Sequence, residues 1–191
     1  MRIFLVYFFI CTSLMSQEQL PFKTIPEAPE NITTGTSLAR MTQGIGFRFY
    51  WATEGLSSED LKYRPSEEAQ STLETIKHIY GLSNMIFNAA SSRENIRPLT
   101  NIPQDYTILR KATLSFLEQA SLLFLDASKE ELTLMKVKFN RAGNLSSYPI
   151  WNLINGPLSD ALYHTGQIVS FRRTSGNPIA KGVNVFMGAK N

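Results

Sequence analysis

Apolar side chains recur at three- and four-residue spacing in four separate stretches of this chain, the period of an α-helix with one face turned inward. The first stretch places Leu38, Met41, Ile45, Phe49, Ala52 and Leu56 on one face. Gly44 and Gly46 lie inside it, where glycine weakens a helix, so they read as positions of close packing. The pattern fades at Gly55-Leu56-Ser57-Ser58, and Pro65 blocks its continuation. The second helix is announced by Ser71-Thr72-Leu73-Glu74, a capping box whose hydroxyl and carboxylate each satisfy a free backbone N–H. It runs to about Ala90, with His78, Leu82, Met85 and Ala89 on a stripe that turns His78 toward protein. The third begins around Pro103, carries Leu109, Ala112, Phe116, Ala120 and Leu123 inward, and ends near Asp126.

Residues 128–148 read two ways. Ser128 and Glu131 can cap a short helical turn, while 132–139 alternates enough for a strand. The fourth helix starts near Tyr148-Pro149 and reaches Ser175, with Ile150, Ile154, Ala161, Ile168 and Phe171 inward. Gly176-Asn177-Pro178 stops it, and Arg172 and Arg173 complement its dipole. The fold expected is all-α, a four-helix bundle with a short strand or turn between the third and fourth helices and residues 181–191 laid across it as a tail.

The 191 residues, 43% hydrophobic and 18% charged, suit one globular domain. A single cysteine, Cys11, rules out an internal disulfide and a thiolate zinc framework. The net charge of +3 comes from 19 basic and 16 acidic residues that are interspersed along the chain. Without a basic face carrying interleaved aromatics, the sequence speaks against nucleic-acid binding.

Met1-Arg2, an apolar run over residues 3–15 and the polar Gln17-Glu18-Gln19 read as a secretory signal peptide covering 1–16 and cleaved after Ser16. The run is too short to span a bilayer, so no stable membrane span is expected after cleavage. The mature chain, residues 17–191, would be periplasmic or secreted and free of cysteine, which suits an oxidising compartment.

The two histidines are His78 and His164. Asp160 lies one turn before His164, so their side chains project together, and a bundle that brings in His78 gathers two imidazoles and a carboxylate. That donor set suits a first-row metal with open coordination positions. Glu74, one turn before His78, reads as a fourth ligand, a general base or simply the capping residue. The same residues also fit a metal-free hydrogen-bond network in the core of a binding or scaffold protein.

The segment Asp160-Ala-Leu-Tyr-His164-Thr-Gly166-Gln167-Ile168 resembles the H-x-x-x-H-x-G-Q motif in the last helix of the DinB-like (DinB/YfiT) superfamily. Leu61-Lys-Tyr-Arg64-Pro65, then Ser71-Thr-Leu-Glu74 and His78-Ile79, resembles that family's lead into its metal-binding second helix. The resemblance spans residues 34–175 and implies a four-helix bundle that holds a divalent metal, often zinc or nickel, through three histidines. Carried over, His78 and His164 take the first and third ligand positions, and Asp160 stands where the second histidine would be. An oxygen donor there shifts preference toward zinc, iron or manganese. Gln167 reads as a residue holding water or substrate, or as a bond between helices, and Gly166 as a place of close helix approach.

The function this implies is a metal-dependent hydrolase or transferase acting on an unknown small molecule. Its metal, held by His78, Asp160 and His164, would bring a water toward pKa ~7, with Glu74 as proton acceptor. Transferases of the family that act on low-molecular-weight thiols work on substrates found mainly in the cytoplasm, and the signal peptide argues against that branch. The alternative is a non-catalytic helical binding protein with a degenerate metal site. Dimerisation is common among similar proteins, but the sequence carries no decisive interface signal.

Overall fold

The computed structural model describes residues 19–191, so the signal-peptide segment 1–16 lies outside the described residues. Four long helices carry the core: α1 (Thr34–Thr53), α3 (Thr72–Ala90), α4 (Tyr106–Asp126) and α6 (Ser159–Ser175), with short helices α2 (Ser58–Lys62) and α5 (Lys129–Leu134) between them. α1 and α3 each pack against both α4 and α6. Among the described residues, no helix is long and apolar enough to cross a membrane.

The expectation of an all-α chain with at most one short strand is revised, because the structure holds two small sheets. β1 (Glu94–Arg97) runs parallel to β2 (Lys136–Arg141), which pairs antiparallel with β3 (Asn144–Pro149). The pairing of β1 with β2 joins segments about forty residues apart, and it rests on Asn95, which is fully buried and donates from Nδ2 to the Lys138 carbonyl at 2.8 Å. In the tail, β4 (Val183–Asn184) and β5 (Ala189–Lys190) form a hairpin. It docks on the lead through the Ile25 N–H, which donates to the Gly188 carbonyl at 2.7 Å.

α3 starts at the expected box, with Ser71 and Glu74 exchanging hydrogen bonds with each other's backbone N–H. Ser128 and Glu131 form a second box at the start of α5, so the helical reading holds there and β2 follows after Met135. On α4 the buried face is Leu109, Thr113, Leu117, Ala120 and Phe124, while Leu123 is exposed. The helix is therefore rotated from the expected face, since its apolar residues lie on several sides and packing against α1 and α3 selects among them.

Helix α6 also departs from expectation. Residues 144–149 pair with β2, and a π-helical turn (Ile154–Leu158), kinked at Gly156-Pro157, precedes Ser159. Proline removes a backbone donor and crowds the preceding turn, which accounts for the kink. Of Gly44 and Gly46, Gly46 is the close-packing position. A side chain there would run into the Phe22 ring, whereas Gly44 meets only its neighbour Arg48.

Two arginines and a tyrosine from other helices close the C-terminal end of α1. Arg172 donates to the carbonyls of Ala52 (3.1 Å) and Glu54 (2.7 Å), Arg110 to that of Tyr50 (3.1 Å), and the Tyr106 hydroxyl to that of Thr53. A helix end leaves its last carbonyls without partners inside the helix, and its dipole favours cations there. α1 has no basic residue in its last turn, so the two guanidinium groups supply that charge from α4 and α6.

Candidate metal centre

α3 and α6 lie side by side and bring His78, Asp160 and His164 to one point, their potential ligand atoms all within 4.8 Å of one another. His78 Nε2 is 3.2 Å from Asp160 Oδ2 and His164 Nε2 is 3.2 Å from Asp160 Oδ1, so the carboxylate bridges the two imidazoles. The rings meet edge to face, with centroids 4.5 Å apart. The spacing of 160 and 164 on α6 brings two of the three together, and the kink at Gly156-Pro157 puts Asp160 in the first turn of that helix.

The cluster stands at the surface. The side chains of His78 and Asp160 are 41% and 42% exposed and that of His164 is 17% exposed. His78 therefore does not face protein as the stripe on its helix suggested; it stands at the edge of the α3–α6 contact.

Gln167 orients His164, its amide oxygen lying 2.7 Å from His164 Nδ1. With the hydrogen on Nδ1, the Nε2 lone pair of the neutral ring points toward Asp160 Oδ1 at 3.2 Å, a gap that a divalent ion would bridge; with the hydrogen on Nε2, the same pair is an ordinary hydrogen bond. Two bonds of about 2.1 Å at a tetrahedral angle hold donor atoms ~3.4 Å apart, near the 3.2 Å of each histidine–carboxylate pair. The donor set and its spacing thus fit a divalent ion, with Gln167 as the outer partner that orients one imidazole.

Glu74 stands apart from this convergence. Its Oε2 accepts from the Ser71 N–H at 2.7 Å and pairs with Arg64 at 3.2 Å. The Ser71 backbone bond, then the Ser71 hydroxyl, hold its carboxyl below the usual range. Of the three readings the sequence left open, this is the arrangement of a helix cap. Gly166 has open space where a side chain would go, so no helix approaches it closely and that expectation is corrected.

A second polar cluster, assembled from elements distant in the chain, lies at the other end of α6. Asp60 is buried, and its Oδ2 accepts from the Ser57 N–H (2.9 Å), the Ser57 hydroxyl (2.8 Å) and Asn177 Nδ2 (2.7 Å), while Oδ1 accepts from Ser175 (2.9 Å). Burial alone would raise its pKa, but the bonds from Asn177, Ser57 and Ser175 outweigh it and bring the group from 3.8 to about 2. Arg172, only 3% exposed, donates from Nε to the Asn177 carbonyl at 2.7 Å as well as to the end of α1.

No protein-family model and no curated protein matches this sequence. Among solved structures, a DinB-like protein from Bacillus subtilis superposes with a TM-score of 0.55 at 17% identity, over 73% of this chain and 92% of that one. The chain therefore has a DinB-like fold, as the resemblance of its motifs implied.

Proposed function

We propose that this chain is an exported DinB-like metal-binding protein built as a four-helix bundle. In this reading His78, Asp160 and His164 hold one divalent ion, zinc in the first instance, and serve a hydrolase or transferase reaction on a small molecule. The observation that carries the reading is the convergence of His78, Asp160 and His164, whose potential ligand atoms all lie within 4.8 Å of one another. A bound divalent ion would supply Lewis-acid activation of an electrophile or nucleophile at neutral pH.

The chain's own residues do the rest. Asp160 contributes the negative charge and an oxygen donor to each neighbour. Gln167, 2.7 Å from Nδ1, orients the His164 ring. His78, the most exposed of the ring donors, stands where a ligand arriving from solvent meets the site. A proton-accepting role for Glu74 would have to run through Oε1, because Oε2 is engaged by Ser71 and Arg64.

One observation favours the non-catalytic reading. Asp160 sits in the first turn of α6, where a carboxylate complements the helix dipole whether or not a metal is present.

Elemental analysis of tag-free protein separates the two readings. Near-stoichiometric metal that disappears in His164→Ala and Asp160→Ala is the expected result. A wild-type protein that stays empty after exposure to zinc, nickel, iron and manganese would leave the metal-free scaffold. Export has its own check: the mature N-terminus should be Gln17, and an intact Met1 on the exported protein would contradict cleavage at Ser16.

A further inference from the structure

Beyond His78, the same helix forms one wall of a cleft of about 370 Å3 whose other wall is the segment following β1. That segment runs back along α3: Leu99 reaches Gly81, and Gln104 accepts a hydrogen bond from Lys77 at 2.7 Å. Arg97 therefore stands toward the Met85 end of the cleft and His78 toward the other. The rise of an α-helix over the intervening two turns is about 10 Å. Between these ends the walls are apolar, formed by Leu82, Met85, Leu99 and Ile102.

Two features of this cleft serve no need of the fold. The first is the charge at its far end. Arg97 is partly buried, has no carboxylate at ion-pair distance among the described residues, and makes one long hydrogen bond, 3.4 Å, to the carbonyl of its own neighbour Ile96. On the adjacent strand its register partner is Arg141. Like charges placed opposite one another weaken a sheet, and burial followed by Arg141 lowers the Arg97 pKa, the response of a cation lacking a counter-ion. The second feature is Gly81. It lies inside α3, where glycine weakens a helix relative to alanine, and a methyl group there would make only an ordinary contact of 3.5 Å with Leu99. Packing does not require the glycine; its bare backbone leaves room in the cleft one turn beyond His78.

We propose that this cleft binds an organic oxyanion, a carboxylate or phosphate ester with a short apolar body. The anionic head would sit on Arg97, the body between Leu82 and Leu99 over Gly81, and the far end would reach His78, Asp160 and His164. Delivery to those three residues rests on the metal-site reading; anion binding does not.

The test is titration calorimetry on the full-length mature chain with octanoate and with octyl phosphate, each in chelator-treated and zinc-loaded protein, and with acetate and inorganic phosphate as headgroups lacking the body. We expect saturable binding of an octyl probe at least about tenfold tighter than its headgroup alone. A charge-assisted bond is worth about a factor of ten or more, so Arg97→Gln should weaken binding by that much and Arg97→Lys should recover part of it. Gly81→Leu should abolish binding while circular dichroism and urea unfolding show an intact fold. The relative strength of octanoate and octyl phosphate identifies which oxyanion the site takes. Absence of saturable binding in the wild type, or equal binding in Arg97→Gln and Gly81→Leu, would overturn the proposal. Octyl binding that persists in metal-free His164→Ala supports the cleft even if no metal is ever found, whereas zinc binding with no octyl binding sinks the cleft and leaves the metal site standing.

Discussion

Helix α6 carries a carboxylate cluster at each end, and the two have opposite characters. At the C-terminal end, buried Asp60 and Arg172 are enclosed by Ser57, Ser175, Asn177 and the carbonyls of α1, and no buried side-chain polar atom among the described residues lacks a partner. At the N-terminal end, Asp160 and His78 are about two-fifths exposed, and the carboxylate stands 3.2 Å from each imidazole. Both clusters tie α6 to a neighbouring helix, but only one is enclosed by protein. A closed cluster contributes stability and offers nothing to a ligand, whereas an open one, with a ring oriented by Gln167, contributes little to stability and leaves directions for a ligand to use.

The sharpest way to break this contrast is at the closed end. Arg172→Met removes the donors to Ala52, Glu54 and Asn177 and leaves Asp60 buried without its cationic neighbour, so a loss of about 3–5 kcal/mol is expected. For a chain of this size that lowers Tm by roughly 10 °C. Urea unfolding and thermal melting measure the loss, and metal content should be unchanged.

Asp60 gives the same cluster a pH signature. Its folded pKa, about 2 against 3.8, lies below the unfolded value. Its contribution, roughly 2 kcal/mol, is therefore present above pH ~4 and lost as pH falls through about 2. Urea titrations of the wild type and Asp60→Asn should diverge near neutrality and draw together in acid; a gap independent of pH would refute the assignment.

The smallest expected effect belongs to the open end. Gln167→Ala releases the His164 ring, which should weaken metal binding by ~10–100-fold while leaving urea unfolding of the metal-free protein within about 0.5 kcal/mol. A loss of stability with unchanged metal affinity would mean that Gln167 is packing and nothing more.

The contrast also explains what the sequence disclosed. Signals contained within one turn were legible: the boxes at Ser71/Glu74 and Ser128/Glu131, the stop at Gly176, which adopts a left-handed conformation, and the pairing of Asp160 with His164. The open cluster needs only one contact between helices, that of His78, so most of it could be read from local spacing. The closed cluster could not, because Asp60 lies more than a hundred residues from Arg172 and Asn177, and its local signature, the box with Ser57, marks only the start of α2. Arg172 was legible only as a cation on its own helix; that it caps α1 depends on packing. Strand β1 is not legible for the same reason, since its partner lies across α4 and α5, and β3 falls mostly in the stretch 128–148 that reads two ways, with only Tyr148-Pro149 overlapping the expected start of the fourth helix.

If the Asp160 cluster is open to a cation, a zinc titration followed by calorimetry shows it directly, comparing metal-free wild-type protein with Asp160→Asn. One site per chain is expected in the wild type and an affinity at least about a hundredfold lower in the variant, with urea unfolding of the two metal-free proteins nearly superimposable. No binding in the wild type, or equal binding in Asp160→Asn, would contradict that expectation.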